Sequence, residues 1–273
     1  MAARRRAALQ ALKPAGTGLE TVDALSVDPV PTLSGYVQAA SEYIRSARML
    51  SPGAAKRAQI ALSGGLGRVL ASELKARLPD IQVVAGERTV AGALRSARAD
   101  VSESHELDGL RLAVELKPIN LAVGRAIWNR FGDVRAFAVN IHLKFPFAVV
   151  GGVLAIPTSE WKIGSSSASD VQEVVDSDDE EAVDELRVAA RAGRALQLVP
   201  TTHLIARAIR RFERTRARET EADATHLLEA VAIVVYDPET GVLSDSLPAL
   251  SSKLRWEHFV AALAEAYELR FES

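Results

Sequence analysis

Hydrophobic residues recur along this chain at spacings that predict alternating helices and strands. A helical pattern covers 54–78 and is ended by Pro79-Asp80, after which the apolar run 81–84 is typical of a short strand. A second helix is predicted by apolar residues three and four apart, namely Val123, Ile127, Phe131, Val134, Phe137 and Ile141. The run 147–156 is apolar throughout, as in a strand buried on both faces. This succession predicts an α/β fold.

The C-terminal third continues the same alternation. Helical patterns over 205–218 and 224–230 are followed by a β-branched strand over 231–236 and by a closing helix over 256–271. The chain then divides into an N-terminal helical segment (1–53), a central core (54–157), an acidic linker or loop (158–188) and a C-terminal helix-strand-helix lobe (189–273) that completes the fold.

The segment from Arg98 to Pro118 predicts a β-hairpin that carries several acids and one lysine. Apolar and other residues alternate over 110–114 with the two-residue period of a strand, and Asp108-Gly109 is typical of a tight turn. Residues two apart on a strand point to the same side. Glu115 and Lys117 therefore share one face at the end of this strand.

Two aspartates are candidates to join Glu115 and Lys117. Asp108 stands seven residues before Glu115, roughly 23 Å away on an extended chain, so it belongs more naturally in the turn. If Asp108-Gly109 are the two loop residues, Asp100 faces Lys117 and lies diagonally from Glu115. A three-residue turn would shift the register by one and send Asp100 to the wrong face, which leaves Asp108 as the alternative.

A single Glu-x-Lys sequence on a strand is frequently no more than a solvated surface. Here, however, Ala113 and Val114 precede Glu115, so the strand is apolar on both sides of its pleat. A charge that enters a buried sheet is costly unless it is paired or binds a metal. The buried setting therefore favours a functional site.

An aspartate on one strand and Glu115-Leu116-Lys117 on the next resemble the PD-(D/E)xK nuclease superfamily, the fold of most type II restriction endonucleases. The resemblance covers roughly residues 55–157, with the order helix, strand, hairpin, helix, strand. The proline expected before the aspartate is absent, since Ala99 precedes Asp100 and Leu107 precedes Asp108. The resemblance implies a restriction-endonuclease-like fold, a central mixed β-sheet flanked by helices, with 54–157 as its nuclease core.

The implied ligands are all oxygen atoms, which suit a hard cation. The carboxylates of Asp100 and Glu115 and the peptide carbonyl of Leu116 predict binding of Mg²⁺, for which Mn²⁺ can substitute. A bound cation holds the scissile phosphate and lowers the pKa of a water molecule. Lys117 is expected to orient or activate the nucleophile and to stabilise negative charge on the phosphate.

Some relatives add a further acid from the helix that precedes the first strand. Glu73 occupies such a position, although a surface glutamate paired with Lys75 or Arg77 is the favoured interpretation. Glu73 and Asp108 are therefore kept as additional or alternative acids.

The charge of the chain is divided into blocks of opposite sign. The formal net charge is −2, yet nine acidic residues and no Lys or Arg lie between Gly164 and Glu185, which is typical of a linker or loop. Arginines recur at helical spacing after Ile205, and Arg207, Arg210 and Arg211 are candidates to track a DNA phosphate backbone. A solvated helix is the alternative.

Composition narrows the class of protein further. The 273 residues, 48% of them hydrophobic, include no cysteine, which excludes disulfides, cysteine nucleophiles and Cys-based zinc sites. No apolar stretch reaches the length of a membrane span, and the first residues lack the apolar core of a secretory signal. We expect a cytoplasmic protein with no membrane partner.

Together these features predict a Mg²⁺-dependent endonuclease that acts on double-stranded DNA, in particular a sequence-specific type II restriction endonuclease. A structure-specific repair or recombination nuclease of the same fold and a non-catalytic DNA-binding module are the alternatives. An enzyme with one metal centre per chain must cut two antiparallel strands, so a homodimer on a palindromic site is expected.

Overall fold

The computed structural model describes residues 31–163, 179–216 and 218–272. The elements in chain order are α1 (Leu33–Ser46), a 3-10 turn (Ala47–Met49), α2 (Pro52–Arg77), β1 (Val84–Val90), β2 (Ala97–His105), β3 (Gly109–Pro118), α3 (Val123–His142), β4 (Val149–Pro157), β5 (Ser159–Ile163), α4 (Asp179–Arg191), β6 (Leu196–Pro200), α5 (Thr202–Phe212), β7 (Ala230–Asp237), β8 (Val242–Leu243) and α6 (Trp256–Phe271). Within the described residues, no helix is long and apolar enough to cross a membrane.

Six strands form one mixed sheet in the order β1-β2-β3-β4-β7-β8, and β5 and β6 form a small antiparallel pair. The central strands β3, β4 and β7 run parallel, whereas the outer neighbours pair antiparallel. Every residue of β4 is buried, as expected for a strand covered on both faces. The predicted α/β class with a mixed central sheet is confirmed, and the more specific restriction-endonuclease-like fold stays a prediction.

Helices cover both faces of the sheet because neighbouring strand residues point to opposite sides. On β4, Val153 and Ala155 belong to the apolar cluster beneath α1, α2 and α6, while Leu154 and Ile156 belong to the cluster beneath α3 and α5. The strand β7, from the predicted C-terminal lobe, pairs directly with β4. The C-terminal lobe thus shares the sheet of the central core.

Two glycines on β4 let helices approach the sheet closely. A Cβ atom on Gly152 would stand 2.4 Å from Cγ1 of Val134 in α3, and one on Gly151 would stand 3.1 Å from Leu263 in α6. Gly152 also lies beside Glu115 in the β3–β4 register. The glycine therefore lets α3 pack directly over the strand position next to Glu115.

A buried ionic cluster fastens the end of α3 and the segment before β7 to the sheet. The carboxylate of Glu229 lies 3.2 Å from Arg218, 2.7 Å from Arg270 and 3.3 Å from His142, and it accepts the N–H of Val150 at 2.8 Å. Arg218 was predicted to lie on an exposed helix over 205–218, and that prediction is wrong. The helix ends at Phe212, and Arg218 is buried as the partner of Glu229.

Other predicted boundaries also differ from the structure. The first strand is Val84–Val90 and not 81–84, because Ile81 and Val83 are buried in the connection that precedes it. No helix covers 224–230, where turns lead into β7. Both differences arise because apolar residues can be buried in irregular segments as well as in regular ones.

The linker or loop predicted over 158–188 is wrong where it meets β5 and α4. Within α4, Ala182, Val183, Leu186 and Ala189 are buried at spacings that form an apolar stripe, and Arg125 of α3 binds Glu185 at 2.9 Å. This stripe stabilises a helix despite the acidic composition. The remainder of the predicted linker, 164–178, and most of the N-terminal segment, 1–30, lie outside the described residues.

The close approach at Gly152 leads to a stability prediction. Gly152→Ala should lower the free energy of unfolding by about 1–3 kcal/mol, because its methyl group must displace Val134. The matched control is Gly132→Ala on α3, which meets nothing within 4 Å and should raise it by about 0.5–1 kcal/mol through helix propensity. Urea denaturation measures both. Equal effects of the two substitutions would contradict the packing described.

Candidate active site

The β2–β3 hairpin brings Asp100 to the level of Glu115 through a turn longer than predicted. Three residues, 106–108, separate the paired residues His105 and Gly109, and Gly109 has the positive φ expected of the turn. A three-residue turn alone would shift the register by one residue. A bulge at Arg111, which is skipped between Leu110 and Leu112, restores the parity.

The predicted register, with Asp100 opposite Lys117, is therefore wrong by two residues. The ladder ends with Val101 opposite Val114, so the next residue, Asp100, stands at the level of Glu115. Residues directly opposed on antiparallel strands have Cα atoms only about 4.5–5.5 Å apart. If this register continues past the last pair, the two acids lie closer together than in the predicted diagonal arrangement.

Asp100 is also tied to the backbone of Leu116. Its Oδ2 accepts the N–H of Leu116 at 2.7 Å. The N–H and C=O of one strand residue point toward the same neighbouring strand. The carbonyl of Leu116 is therefore directed to the same side as Asp100, beyond the last ladder pair.

Glu115 is buried in the sheet, and its side chain forms an ion pair with Lys117. Burial raises the pKa of Glu115 to about 7. The positive charge of Lys117 opposes this shift, and the negative charges of Asp100 and Asp133 add to it. One lysine therefore does not compensate the loss of solvation.

The second carboxylate is shifted in the same direction. Burial raises the pKa of Asp100 above its ordinary value, although the Leu116 N–H and the charge of Lys117 lower it; the charge of Glu87 raises it again. Two acids whose pKa values are both raised within one cleft mark a candidate functional site.

Glu87 reaches this region because β1 contains a bulge. Ala85 pairs with Val101 and Arg88 with Ala99, so Gly86 and Glu87 together oppose the single residue Asp100. Gly86 has φ +121°, which side chains other than hydrogen rarely tolerate. The exposed carboxylate of Glu87 accepts a hydrogen bond from Arg98 at 3.1 Å.

Asp100, Glu115 and Lys117 open into a cleft of about 390 Å³, which we name the catalytic cleft after the role proposed for it below. Asp133 of α3 and Arg95 of the β1–β2 loop are also in its wall. Asn140 of α3 holds this loop, since its side chain accepts the N–H groups of Leu94 and Arg95 at 2.8 and 3.2 Å and donates to the Arg95 carbonyl at 2.8 Å. The loop and α3 therefore form one rigid wall.

The donor set is compatible with a magnesium ion. Among the described residues, no group of three or more His, Cys, Asp or Glu side chains is arranged to hold a metal. Mg²⁺, however, is usually bound through one or two carboxylates, with water and substrate phosphates as the other ligands. Asp100, Glu115 and the carbonyl of Leu116 supply that kind of partial shell.

The alternative acids lie elsewhere. Asp108 is in the turn, where it accepts a hydrogen bond from Nε of Arg111 at 2.7 Å and lies 3.6 Å from His105. Glu73 on α2 accepts the indole N–H of Trp256 through both carboxylate oxygens at 3.0 Å. Neither is in the wall of the catalytic cleft. The expected surface pairing of Glu73 is also wrong, since it anchors α6.

The candidate DNA-binding arginines are exposed on α5 but away from the cleft. Arg207 and Arg211 stack over the ring of Trp128, with their guanidinium carbons 5.0 and 4.3 Å from its centroid. Arg210 is exposed one turn from Arg207. None of the three is in the wall of the catalytic cleft.

Four residues of this region were not predicted from the sequence: Glu87, Arg95, Asp133 and Asn140. A glycine inside a short strand is a known sign of a bulge, so Gly86 offered a signal for Glu87. The other three depend on how α3 packs over the sheet, and no local pattern indicates that.

Three comparisons, with family models, curated proteins and solved structures, found no match for this chain. The resemblance to the PD-(D/E)xK superfamily therefore stays a prediction.

The raised pKa of Glu115 predicts how stability changes with pH. Because the folded-state pKa of about 7 exceeds the ordinary value of 4.5, this group stabilises the fold fully below pH 4.5, and the contribution is lost as pH rises through about 7. Glu115→Gln removes the ionisation. From about pH 5 to pH 8, the free energy of unfolding should fall by about 2–3 kcal/mol more in the unaltered protein than in this variant. Denaturation of both proteins in metal-free buffer at the two pH values measures the difference, and parallel pH profiles would contradict the shift.

Proposed function

We propose that this chain is a Mg²⁺-dependent endonuclease that hydrolyses phosphodiester bonds of double-stranded DNA. The observation that carries the proposal is the meeting of Asp100 and Glu115, two carboxylates with raised pKa, beside Lys117 in an open cleft. A structural ion pair needs only Glu115 and Lys117. The second carboxylate adds repulsion that a divalent cation would relieve.

The proposed metal ligands are the carboxylates of Asp100 and Glu115 and the carbonyl of Leu116. Bound there, Mg²⁺ would supply Lewis-acid polarisation of a phosphoryl oxygen and a lowered pKa for a water molecule. Asp100 is already oriented by the Leu116 N–H, and Glu115 by its ion pair, so both carboxylates are held before substrate arrives. This preorganisation lowers the cost of assembling the site.

Lys117 is proposed to act on the phosphate. Its side chain is 23% exposed and lies in the cleft wall, so its ammonium group can reach a bound anion without moving far. A compact positive charge in a partly desolvated cleft stabilises the charge that develops on the phosphate, and it can orient the attacking water.

The narrower proposal is a sequence-specific type II restriction endonuclease. It is supported by structure beyond the core that could contact bases, including the exposed arginines Arg207, Arg210 and Arg211 on α5. Stacking on Trp128 holds two of these guanidinium groups in place. These arginines are proposed as DNA contacts outside the catalytic cleft.

The two candidate aspartates give the main test of activity. Asp100→Asn should lower Mg²⁺-dependent cleavage of a mixed-sequence plasmid by at least about a hundredfold, because it removes a charged ligand. The matched control, Asp108→Asn, should retain most activity, because that side chain binds Arg111 in the turn. The opposite pattern would identify Asp108 as the ligand.

The same assay distinguishes the kinds of function. Cleavage should require Mg²⁺ or Mn²⁺ and stop with a chelator, while Ca²⁺ should support binding without cleavage. Discrete bands indicate sequence-specific cutting, and a smear indicates a general or structure-specific nuclease. Full activity with excess chelator would exclude the metal, and no cutting would favour a DNA-binding module.

A two-fold homodimer on DNA is also proposed, since one centre per chain must reach two antiparallel strands. Light scattering of the protein with a cleavable duplex in Ca²⁺ should then give two chains per duplex. A complex with one chain on such a duplex would contradict the dimer and favour sequential nicking.

A further inference from the structure

A second cleft adjoins the catalytic cleft along α2. Its volume is about 660 Å³, and it shares Glu87, Asp100 and Lys117 with the catalytic cleft. The proposed site therefore stands where the two clefts meet. We name the second one the α2 cleft.

The α2 cleft differs from the catalytic cleft in charge. Its wall has four cationic side chains, Lys56, Arg68, Arg130 and Lys117, against two carboxylates, Glu87 and Asp100. In the wall of the catalytic cleft, carboxylates outnumber cationic side chains, because Glu115 and Asp133 lie there. Lys117 and Arg130 are paired with Glu115 and Asp133, so an anion in the α2 cleft would share these two cations with carboxylates of the catalytic cleft.

The guanidinium group of Arg68 is available to bind such an anion. It is exposed, and among the described residues no carboxylate lies within ion-pair distance of it. Lys56 stands twelve residues earlier on α2, about 18 Å along the helix axis. At 3.4 Å per nucleotide of a duplex strand, this length corresponds to about five nucleotides.

A glycine in the wall of the α2 cleft has no role in packing the fold. A Cβ atom on Gly64 would meet only the guanidinium of Arg68, at 3.4 Å, whereas one on Gly67 would contact the Asp100 carbonyl and the Leu116 side chain at 3.5 and 3.7 Å. Gly67 thus faces the sheet. Glycine inside a helix costs about 1 kcal/mol relative to alanine, and Gly132 of α3 carries this cost without a packing contact either. At Gly64 the missing side chain leaves room for a ligand to lie close to the surface of α2 in the cleft wall.

We propose that the α2 cleft binds the sugar-phosphate backbone of the DNA strand that is cut. Lys56 and Arg68 contact phosphates from α2, Arg130 contacts the strand from α3, and Gly64 lets the backbone lie close to the helix. The strand then continues to Lys117, where the scissile phosphate meets Asp100 and Glu115. This inference rests on the proposed function and names the substrate contacts of its site.

The inference is tested by measuring duplex binding in Ca²⁺. Fluorescence anisotropy of a short mixed-sequence duplex gives the affinity over about 50–200 mM salt. Arg68→Ala should weaken binding about eightfold at 0.1 M salt and reduce the slope of log K against log salt by about one. Lys56→Ala should have a similar effect. The matched control is Arg77→Ala, which removes an exposed positive charge of α2 outside both clefts and should leave the slope unchanged.

Gly64→Ala gives a second test, because its expected outcome differs from what a purely structural role of Gly64 predicts. It should raise the urea midpoint, because alanine favours the helix, and yet weaken duplex binding. Binding equal to that of the unaltered protein would count against close approach of the strand at this turn.

Several outcomes would overturn the inference: no duplex binding by the unaltered protein, unchanged slopes for Arg68→Ala and Lys56→Ala, or an equal loss for Arg77→Ala. A loss confined to the Arg207, Arg210 and Arg211 variants would place the backbone on α5 instead. If the α2 variants weaken binding but Mg²⁺ supports no cleavage, the proposed function fails while the cleft remains a DNA-binding surface. If cleavage occurs and the slopes are unchanged, the proposed function stands without this cleft.

Discussion

The candidate site depends on the burial of one carboxylate within the sheet. Glu115 lies on β3 between two neighbouring strands and beneath α3, where little solvent reaches its charge. Its ion pair with Lys117 recovers only part of the lost solvation, so its pKa stays at about 7. In the proposed function, a divalent cation shared with Asp100 would replace that solvation, so residues that are costly for the fold would serve hydrolysis.

The backbone keeps the two acids together through two local irregularities. The bulge at Arg111 corrects the parity that the three-residue turn disturbs, and the bulge at Gly86-Glu87 shifts β1 beside Asp100. On the other side, Gly152 lets α3 approach closely and brings Asp133 into the cleft. The carboxylates thus converge from four elements, Glu87 from β1, Asp100 from β2, Glu115 from β3 and Asp133 from α3. Of these, Asp100 has no side-chain cation as an ion-pair partner among the described residues, and a proton or a bound cation would limit its repulsion with Glu115.

Much of this arrangement follows from sequence patterns alone. The spacing of apolar residues predicted α2, α3, β4, β7 and α6, and the period-two pattern placed Glu115 and Lys117 on one strand face. The Asp108-Gly109 dipeptide indicated the position of the turn, although the loop is 106–108 and Gly109 already pairs with His105. The distance from Glu115 separated Asp108 from the site.

The rest depended on tertiary packing. The length of the turn and the bulge at Arg111 change the register by two residues without a clear local signal. Arg218 continued a pattern of arginines, but its burial is decided by Glu229, Arg270 and His142, which come from distant parts of the chain. The apolar stripe of α4 was hidden by its acidic composition. The difference in charge between the catalytic cleft and the α2 cleft depends on how α2 and α3 pack around the site, and no local sequence pattern indicates that packing.

The most direct test of the proposed cation site is to measure Mn²⁺ binding by calorimetry in buffers of different ionisation enthalpy. A cation that displaces the proton of Glu115, with its pKa of about 7, should release close to one proton per ion at about pH 6 and little at about pH 8, and Glu115→Gln should abolish binding. Binding without proton release at the lower pH, or equal affinity in Glu115→Gln, would contradict a shared cation site at Asp100 and Glu115.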